Sequence, residues 1–226
     1  SRPYLRRSRA DRPIGTWLLY APCLWGLALA ILATDSYGST DIWIIIGCGI
    51  GAFLMRGAGG TWNDITDREI DGSVARTRSR PIPSGQATVR GALIWMAGQA
   101  LLSFFILLTF NVTAIILGII ALVPVAIYPF AKRFTWWPQL FLGLAFNWGA
   151  ILAWAAHTGS IGPVPIVLYC AGIAWTLFYD TIYAHQDAED DALIGVKSTA
   201  RLFGEDSRKW LRFFLTGTII LFGLAV

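Results

Sequence analysis

The sequence predicts an all-α protein, a multi-pass bundle of transmembrane helices. Three observations lead there. Of 226 residues, 55% are hydrophobic and only 14% charged, whereas a soluble domain carries about a quarter charged residues. The mean hydropathy is +0.57, and the apolar residues gather into runs long enough to cross a bilayer. Finally, the eighteen Lys and Arg all fall on one side of the topology those runs define. A chain of this make-up has too little polar surface to solvate a globule. Eleven Trp and seven Tyr suit side chains that settle at membrane interfaces.

The apolar helices are expected at about 14–33, 41–62, 89–110, 112–130, 138–157, 163–184 and 209–226. The first follows a short basic start that resembles a signal peptide, but further spans follow it, so it reads as a retained helix. The second carries Gly47, Gly49, Gly51, Gly57, Gly59 and Gly60, small residues that let helices approach closely. Pro22, Pro124 and Pro165 fall in or near spans, where membrane helices tolerate them. The last run is incomplete at Val226, and the chain starts at Ser1 without Met. The expectation is therefore one transmembrane domain over 1–226, truncated at its C-terminal end.

Charge sets the orientation. Arg2, Arg6, Arg7, Arg9 and Arg12 precede the first span, and Arg68, Arg76, Arg78, Arg80 and Arg90 follow the second. Lys132 and Arg133 follow the fourth, while Lys197, Arg201, Arg208, Lys209 and Arg212 surround the gap before the seventh. Arg56 sits near the same end of the second span. The opposite connections, 34–40, the turn near Asn111 and 158–162, contain no Lys or Arg. By the positive-inside rule the basic side is cytoplasmic, or the matrix side of a mitochondrial inner membrane. Two connections on that side are long, about 63–88 and 185–208, and they hold most of the acidic residues. Long loops in a compact protein tend to carry function.

Helical spacing organises those acids. If the second helix continues into its loop, Asn63, Asp64, Asp67 and Asp71 share an arc of roughly 100°, and Glu69 points away. After the sixth span, Asp187 and Asp191 stand one turn apart, with Asp180 on their stripe. Carboxylates on one face repel unless a cation lies between them. Mg²⁺ takes oxygen ligands, usually one or two carboxylates completed by waters and substrate phosphates. Two acidic faces at one membrane surface thus predict two metal-holding walls around a diphosphate. Arg68, Lys132, Arg133, Lys197 and Arg201 are the candidate phosphate holders. Cys23, Cys48 and Cys170 lie singly in apolar runs and read as small buried hydrophobes. With only His157 and His185 present, a His-based metal centre is not expected.

The stretch Arg56-Gly-Ala-Gly-Gly-Thr-Trp-Asn63-Asp64-Ile-Thr-Asp67-Arg68-Glu-Ile-Asp71, with Arg80-Pro81-Ile82-Pro83-Ser84-Gly85 after it, resembles the first signature of the UbiA superfamily of intramembrane prenyltransferases. Asp180 to Asp191, followed by Gly195-Val196-Lys197-Ser198-Thr199-Ala200, is similar to the second. Arg12-Pro13-Ile14-Gly15-Thr16-Trp17 and Tyr128-Pro129-Phe130-Ala131-Lys132-Arg133 resemble the 4-hydroxybenzoate branch. The resemblance implies a nine-helix bundle around a central cavity, with about seven helices in this chain. It implies Mg²⁺-dependent transfer of a polyprenyl group from polyprenyl diphosphate to the ring carbon beside the hydroxyl of 4-hydroxybenzoate, a step of ubiquinone synthesis. By motif, Asn63, Asp64, Asp67 and Asp71 would hold one Mg²⁺, and Asp187 and Asp191 the other. Asp67, Asp71, Asp187 and Asp191 are the expected catalytic residues, and Arg68, Lys132, Arg133, Tyr183 and Lys197 the expected substrate binders. Arg68 and Arg133 are the favoured partners for the acceptor carboxylate. Trp62, Phe146, Trp148, Trp154, Trp175 and Tyr183 are candidates to face an allylic cation.

The partners implied are the two substrates and the lipid bilayer, with no nucleic acid, in a bacterial or mitochondrial inner membrane. Two alternatives remain open at this level. One is a relative of the same superfamily with a different aromatic or tetrapyrrole acceptor. The other is a cation transporter, whose ionisable residues would sit nearer mid-membrane.

Overall fold

The computed structural model describes residues 13–69, 82, 84, 85, 87–193 and 195–226. Asp71 and the arginines before Pro13 and between 70 and 81 lie outside them. The fold is a helical bundle: α1 Ile14–Thr34, α2 Ser39–Thr66, α3 Val89–Leu107, α4 Val112–Ile120, α5 Leu122–Phe134, α6 Pro138–Phe146, α7 Gly149–Thr158, α8 Pro163–Ala184, α9 Ala188–Leu193, α10 Thr199–Phe203 and α11 Ser207–Ala225. With α4–α5 and α6–α7 each forming one span, the described residues contain six helices long and apolar enough to cross a membrane. The seventh expected run forms α11, whose first turns carry Arg208, Lys209 and Arg212 and which packs along α8.

Local chemistry sets the helix ends. Thr88 and Asn111 cap α3 and α4 by accepting the Gly91 and Ala114 N–H groups at 3.1 and 3.0 Å. Pro138 and Pro163 open α6 and α8, at the first position where a missing N–H costs nothing. Two spans break inside the membrane, which the sequence treated as continuous. Unpaired carbonyls are costly in hydrocarbon, and at each break a carbonyl keeps a backbone partner, Leu117 accepting the Ala121 N–H at 2.9 Å and Gly143 the Asn147 N–H at 3.1 Å, and takes a side-chain donor as well. The Trp148 indole N–H donates to the Leu117 carbonyl at 2.9 Å, just before the α4–α5 break. At the α6–α7 break, the Asn147 amide donates to the Gly143 carbonyl at 2.9 Å and to Thr176 Oγ1 of α8 at 2.8 Å.

Close approach is made by glycine at selected crossings. A Cβ at Gly26 would overlap the Ala150 backbone where α1 meets α7. The glycine stripe of α2 serves a second end as well: Gly47, Gly51, Gly59 and Gly60 border an internal cavity. Cys23 and Cys48 are buried there, whereas Cys170 is exposed on the outer face of α8, contrary to its expected burial.

Candidate active site

The cavity occupies about 1560 Å³ between α1, α2, α3, the α4–α5 and α6–α7 spans and α8. Pockets for drug-sized ligands run to about 1,000 Å³, so this one has room for something longer. Its acidic lining is gathered at one end. There α2 contributes Asn63 in its final turn, and α8 with its extension contributes Tyr179, Asp180, Tyr183, Asp187 and Asp191. Lys132 from α5, Gln139 from α6 and Lys197 from the following loop complete the rim.

The two acidic faces are built differently. On the α8 side, the helical path tightens to a 3-10 turn at His185–Asp187 before α9. His185 anchors that turn, with Nδ1 2.8 Å from the Thr181 carbonyl and Nε2 3.1 Å from Ser207 Oγ. The stripe survives, and Asp180, Asp187 and Asp191 all line the cavity. On the α2 side, the helix ends at Thr66, the Asp67 N–H closes on the Asn63 carbonyl at 2.9 Å, and Asp67 interrupts the helical path before Arg68 and Glu69. The physical reason is a pair of cations from α5. Lys132 Nζ lies 2.5 Å from Asp67 Oδ2, and Arg133 Nη2 donates to the Thr66 carbonyl at 2.6 Å and lies 3.5 Å from Asp67 Oδ1. Asp67 is wholly buried and Asp64 nearly so, and neither borders the cavity.

The basic residues sort the same way. Lys132 and Lys197 face the cavity. Lys197 is fixed by its backbone N–H, which donates to the Lys132 carbonyl at 3.1 Å, and its ammonium lies 5.9 Å from the Trp136 ring. Arg201 stacks on the same ring and donates to the Val196 and Asp191 carbonyls, which makes it a loop brace. Thr199 joins the brace: its N–H donates to Gln139 Oε1 at 3.1 Å and its hydroxyl meets Thr181 Oγ1 at 2.8 Å. Arg68 sits outside on a shallow surface site with Glu69, 3.9 Å away. Of the aromatic candidates, Phe146, Trp148 and Tyr183 line the cavity, and Trp62, Trp154 and Trp175 do not.

Two lining residues fell outside the sequence-based site set. Asp180 was on the acidic stripe but was not counted among the ligands. Arg56 lies two turns below Asn63 on the same face of α2 and borders the cavity 5.6 Å from the Phe146 ring. The available signal was an arginine inside a span at a seven-residue spacing from Asn63.

The described donors suit a hard cation in kind. They are carboxylate and amide oxygens, and Asp67 Oδ1 is buried with no hydrogen-bond partner. Among the described residues no three acids, histidines or cysteines converge on one point, which is compatible with a cation that takes only one or two protein carboxylates.

Fold and site together define a polytopic membrane protein whose central cavity has an acidic mouth and an apolar interior. The UbiA prenyltransferase family profile matches residues 19–226, and the chain belongs to that family. It is 51% identical over 226 residues to a Bos taurus protein named 4-hydroxybenzoate polyprenyltransferase, mitochondrial, covering 98% of this chain and 60% of that one. The Arabidopsis thaliana protein of the same name is 50% identical over 96% of this chain and 53% of its own. The chain thus spans a little over half the length of these curated relatives. Among solved structures, a UbiA homologue from Aeropyrum pernix superposes with a TM-score of 0.76 at 24% identity, over 91% of this chain and 76% of that one. A UbiA homologue from Archaeoglobus fulgidus, bound to GPP and Mg²⁺, gives 0.64 at 22% identity, over 93% and 77%.

Proposed function

We propose that the protein transfers a polyprenyl group from polyprenyl diphosphate to 4-hydroxybenzoate, at the ring carbon beside the hydroxyl. One observation carries the reading: a single cavity joins a mouth of Asn63, Asp187, Asp191, Lys132 and Lys197 to an apolar interior. The names of the relatives point to the acceptor.

Asp187 and Asp191 on one wall, and Asn63, Asp64, Asp67 and Asp71 on the other, would hold Mg²⁺. The bound state of the Archaeoglobus homologue supports this. Held by these residues, Mg²⁺ would supply positive charge to the diphosphate as it leaves. Lys132 and Lys197 give its oxygens further positive charge. Phe146 and the apolar wall below the mouth keep water from the allylic carbon as its bond to oxygen lengthens, and the Phe146 and Tyr183 rings offer their faces to the developing cation. Arg56 replaces Arg68 and Arg133 as the partner for the acceptor carboxylate, because it borders the cavity and they do not. Asp180 is the deepest carboxylate on the α8 wall, so we assign it the ring proton that leaves when the new C–C bond has formed. The Lys- and Arg-rich mouth faces the cytoplasm or the matrix.

The test is prenylation of radiolabelled 4-hydroxybenzoate by membranes holding the complete protein. Transfer should vanish in excess chelator, return with Mg²⁺, and be lost on Asp191→Ala. Undiminished transfer in either condition sinks the metal-site reading, and prenylation of a different aromatic in an acceptor panel overturns the acceptor.

A further inference from the structure

Within that reading, we infer that Trp136 is a positioning residue for the donor: its ring holds the Lys197 ammonium at the mouth without offsetting the charge that the diphosphate needs. The two lysines that border the cavity are held in different ways. Lys132 Nζ lies 2.5 Å from Asp67 Oδ2, so a buried carboxylate already offsets its charge. Lys197 pairs with no carboxylate among the described residues, and its ammonium lies 5.9 Å from the centre of the Trp136 ring. A carboxylate holds a cation by cancelling it. An aromatic ring holds one through its quadrupole and carries no net charge to cancel it with. Of the two lysines, Lys197 therefore brings the larger uncompensated charge to a diphosphate.

The backbone around Lys197 is pinned before the ring takes part. The Lys197 N–H donates to the Lys132 carbonyl at 3.1 Å, and the N–H of the buried Thr199 donates to Gln139 Oε1 at 3.1 Å. Ser198 caps α10 by accepting the Arg201 N–H at 3.3 Å. What this leaves to be fixed is the lysine side chain, a point charge on a flexible four-carbon stem. Trp136 meets it from the link between α5 and α6, partly exposed and outside the cavity lining. It acts through Lys197 and not on the substrate. The same ring lies 5.3 Å from the Arg201 guanidinium, the brace of that loop. One side chain thereby joins the α5–α6 link to the α9–α10 link, and without it the ammonium is free to turn toward water.

The experiment measures the KM for polyprenyl diphosphate in membranes holding the complete protein. Trp136→Leu should raise it about fivefold, the scale of one partly exposed cation–π contact, while kcat holds. Trp136→Phe, which keeps a ring, should recover most of the loss. In a Lys197→Met background the same Trp136→Leu change should add little, because the charge it positions is gone. An equal rise in both backgrounds assigns Trp136 to packing or to Arg201 and overturns the inference, as does an unchanged KM. Should Trp136→Leu fail to fold, fluorinated tryptophans placed at position 136 by nonsense suppression keep the shape and weaken the ring face. KM should climb with each added fluorine, and a flat series overturns the inference.

A readout without the acceptor separates Trp136 from the function proposed above. Equilibrium binding of a radiolabelled prenyl diphosphate in the presence of Mg²⁺ should be weakened by the same factor in Trp136→Leu. If the wild-type protein binds that donor but prenylates no 4-hydroxybenzoate, the proposed function fails, while the weakened binding still supports the role of Trp136. Equal binding by the two proteins removes that role and leaves the proposed function standing.

Discussion

The two ends of the bundle contain the same kinds of polar residue and use them differently. At the end away from the mouth, Asp41 is buried at the start of α2. It accepts the Gly38 N–H at 2.8 Å and meets His157 Nδ1 at 2.5 Å, while His157 Nε2 lies 2.7 Å from Thr34 Oγ1. One chain of contacts thus ties the end of α1, the start of α2 and the end of α7. Asn111 donates to the Ala155 and Ala156 carbonyls at 2.8 and 2.9 Å, and Thr113 to the Gly159 carbonyl at 2.7 Å. These groups close helix ends that would otherwise face hydrocarbon. At the mouth, Asn63, Asp180, Asp187 and Asp191 border open space. The lesson is that a buried carboxylate in this fold becomes a site only where the packing leaves room for something to come to it. Asp67 stands between the cases: at the mouth, yet packed against Lys132 and Arg133 like a structural residue.

That contrast can be broken by mutation. The largest effect belongs to the mouth. Asp187→Asn should lower prenyl transfer by about 10²–10³, the range for removing one group that stabilises developing charge, with little change in the thermal midpoint in detergent. A normal turnover would move Asp187 into the structural class. Asp41→Ala should do the reverse. Breaking a buried pair costs about 3–5 kcal/mol, so the thermal midpoint should fall sharply, while the KM for donor measured on protein that remains folded should hold. A raised KM with an unchanged midpoint would erase the distinction between the two ends.

Lys132→Met sharpens the intermediate case. It should weaken donor binding and also destabilise the fold by about 2 kcal/mol, because Asp67 would keep only Arg133 for its buried charge. Loss of one effect without the other would assign Asp67 to a single end of the comparison. The smallest effect is expected at the far end: Asn111→Ala should cost about 1 kcal/mol as a lost helix cap, with no change in the KM for donor. A changed KM for donor would tie this far end to the site at the mouth.

Much of this was legible in the residue order. Spans appear as apolar runs because lipid leaves the backbone no partner but its own helix. Asp180, Asp187 and Asp191 share a stripe because helical geometry repeats, and the stripe survives the 3-10 turn at His185. The end of α2 was not legible. Asp67 folds back on account of Lys132 and Arg133, sixty-five and sixty-six residues further on, and no local signal near Thr66 announces them.

By itself, then, the sequence determined that the chain is a membrane bundle, where six of its spans run, and which end of it gathers the carboxylates. Those follow from hydropathy and helical period, which act between near neighbours. Only the tertiary structure decided that Arg56 faces the cavity while Arg68 and Arg133 do not, and that Trp148 reaches the Leu117 carbonyl and Asn147 reaches Thr176 at the two span breaks. Each of those depends on which helix faces which across the bundle, and a helix carries no record of its neighbours in its own period.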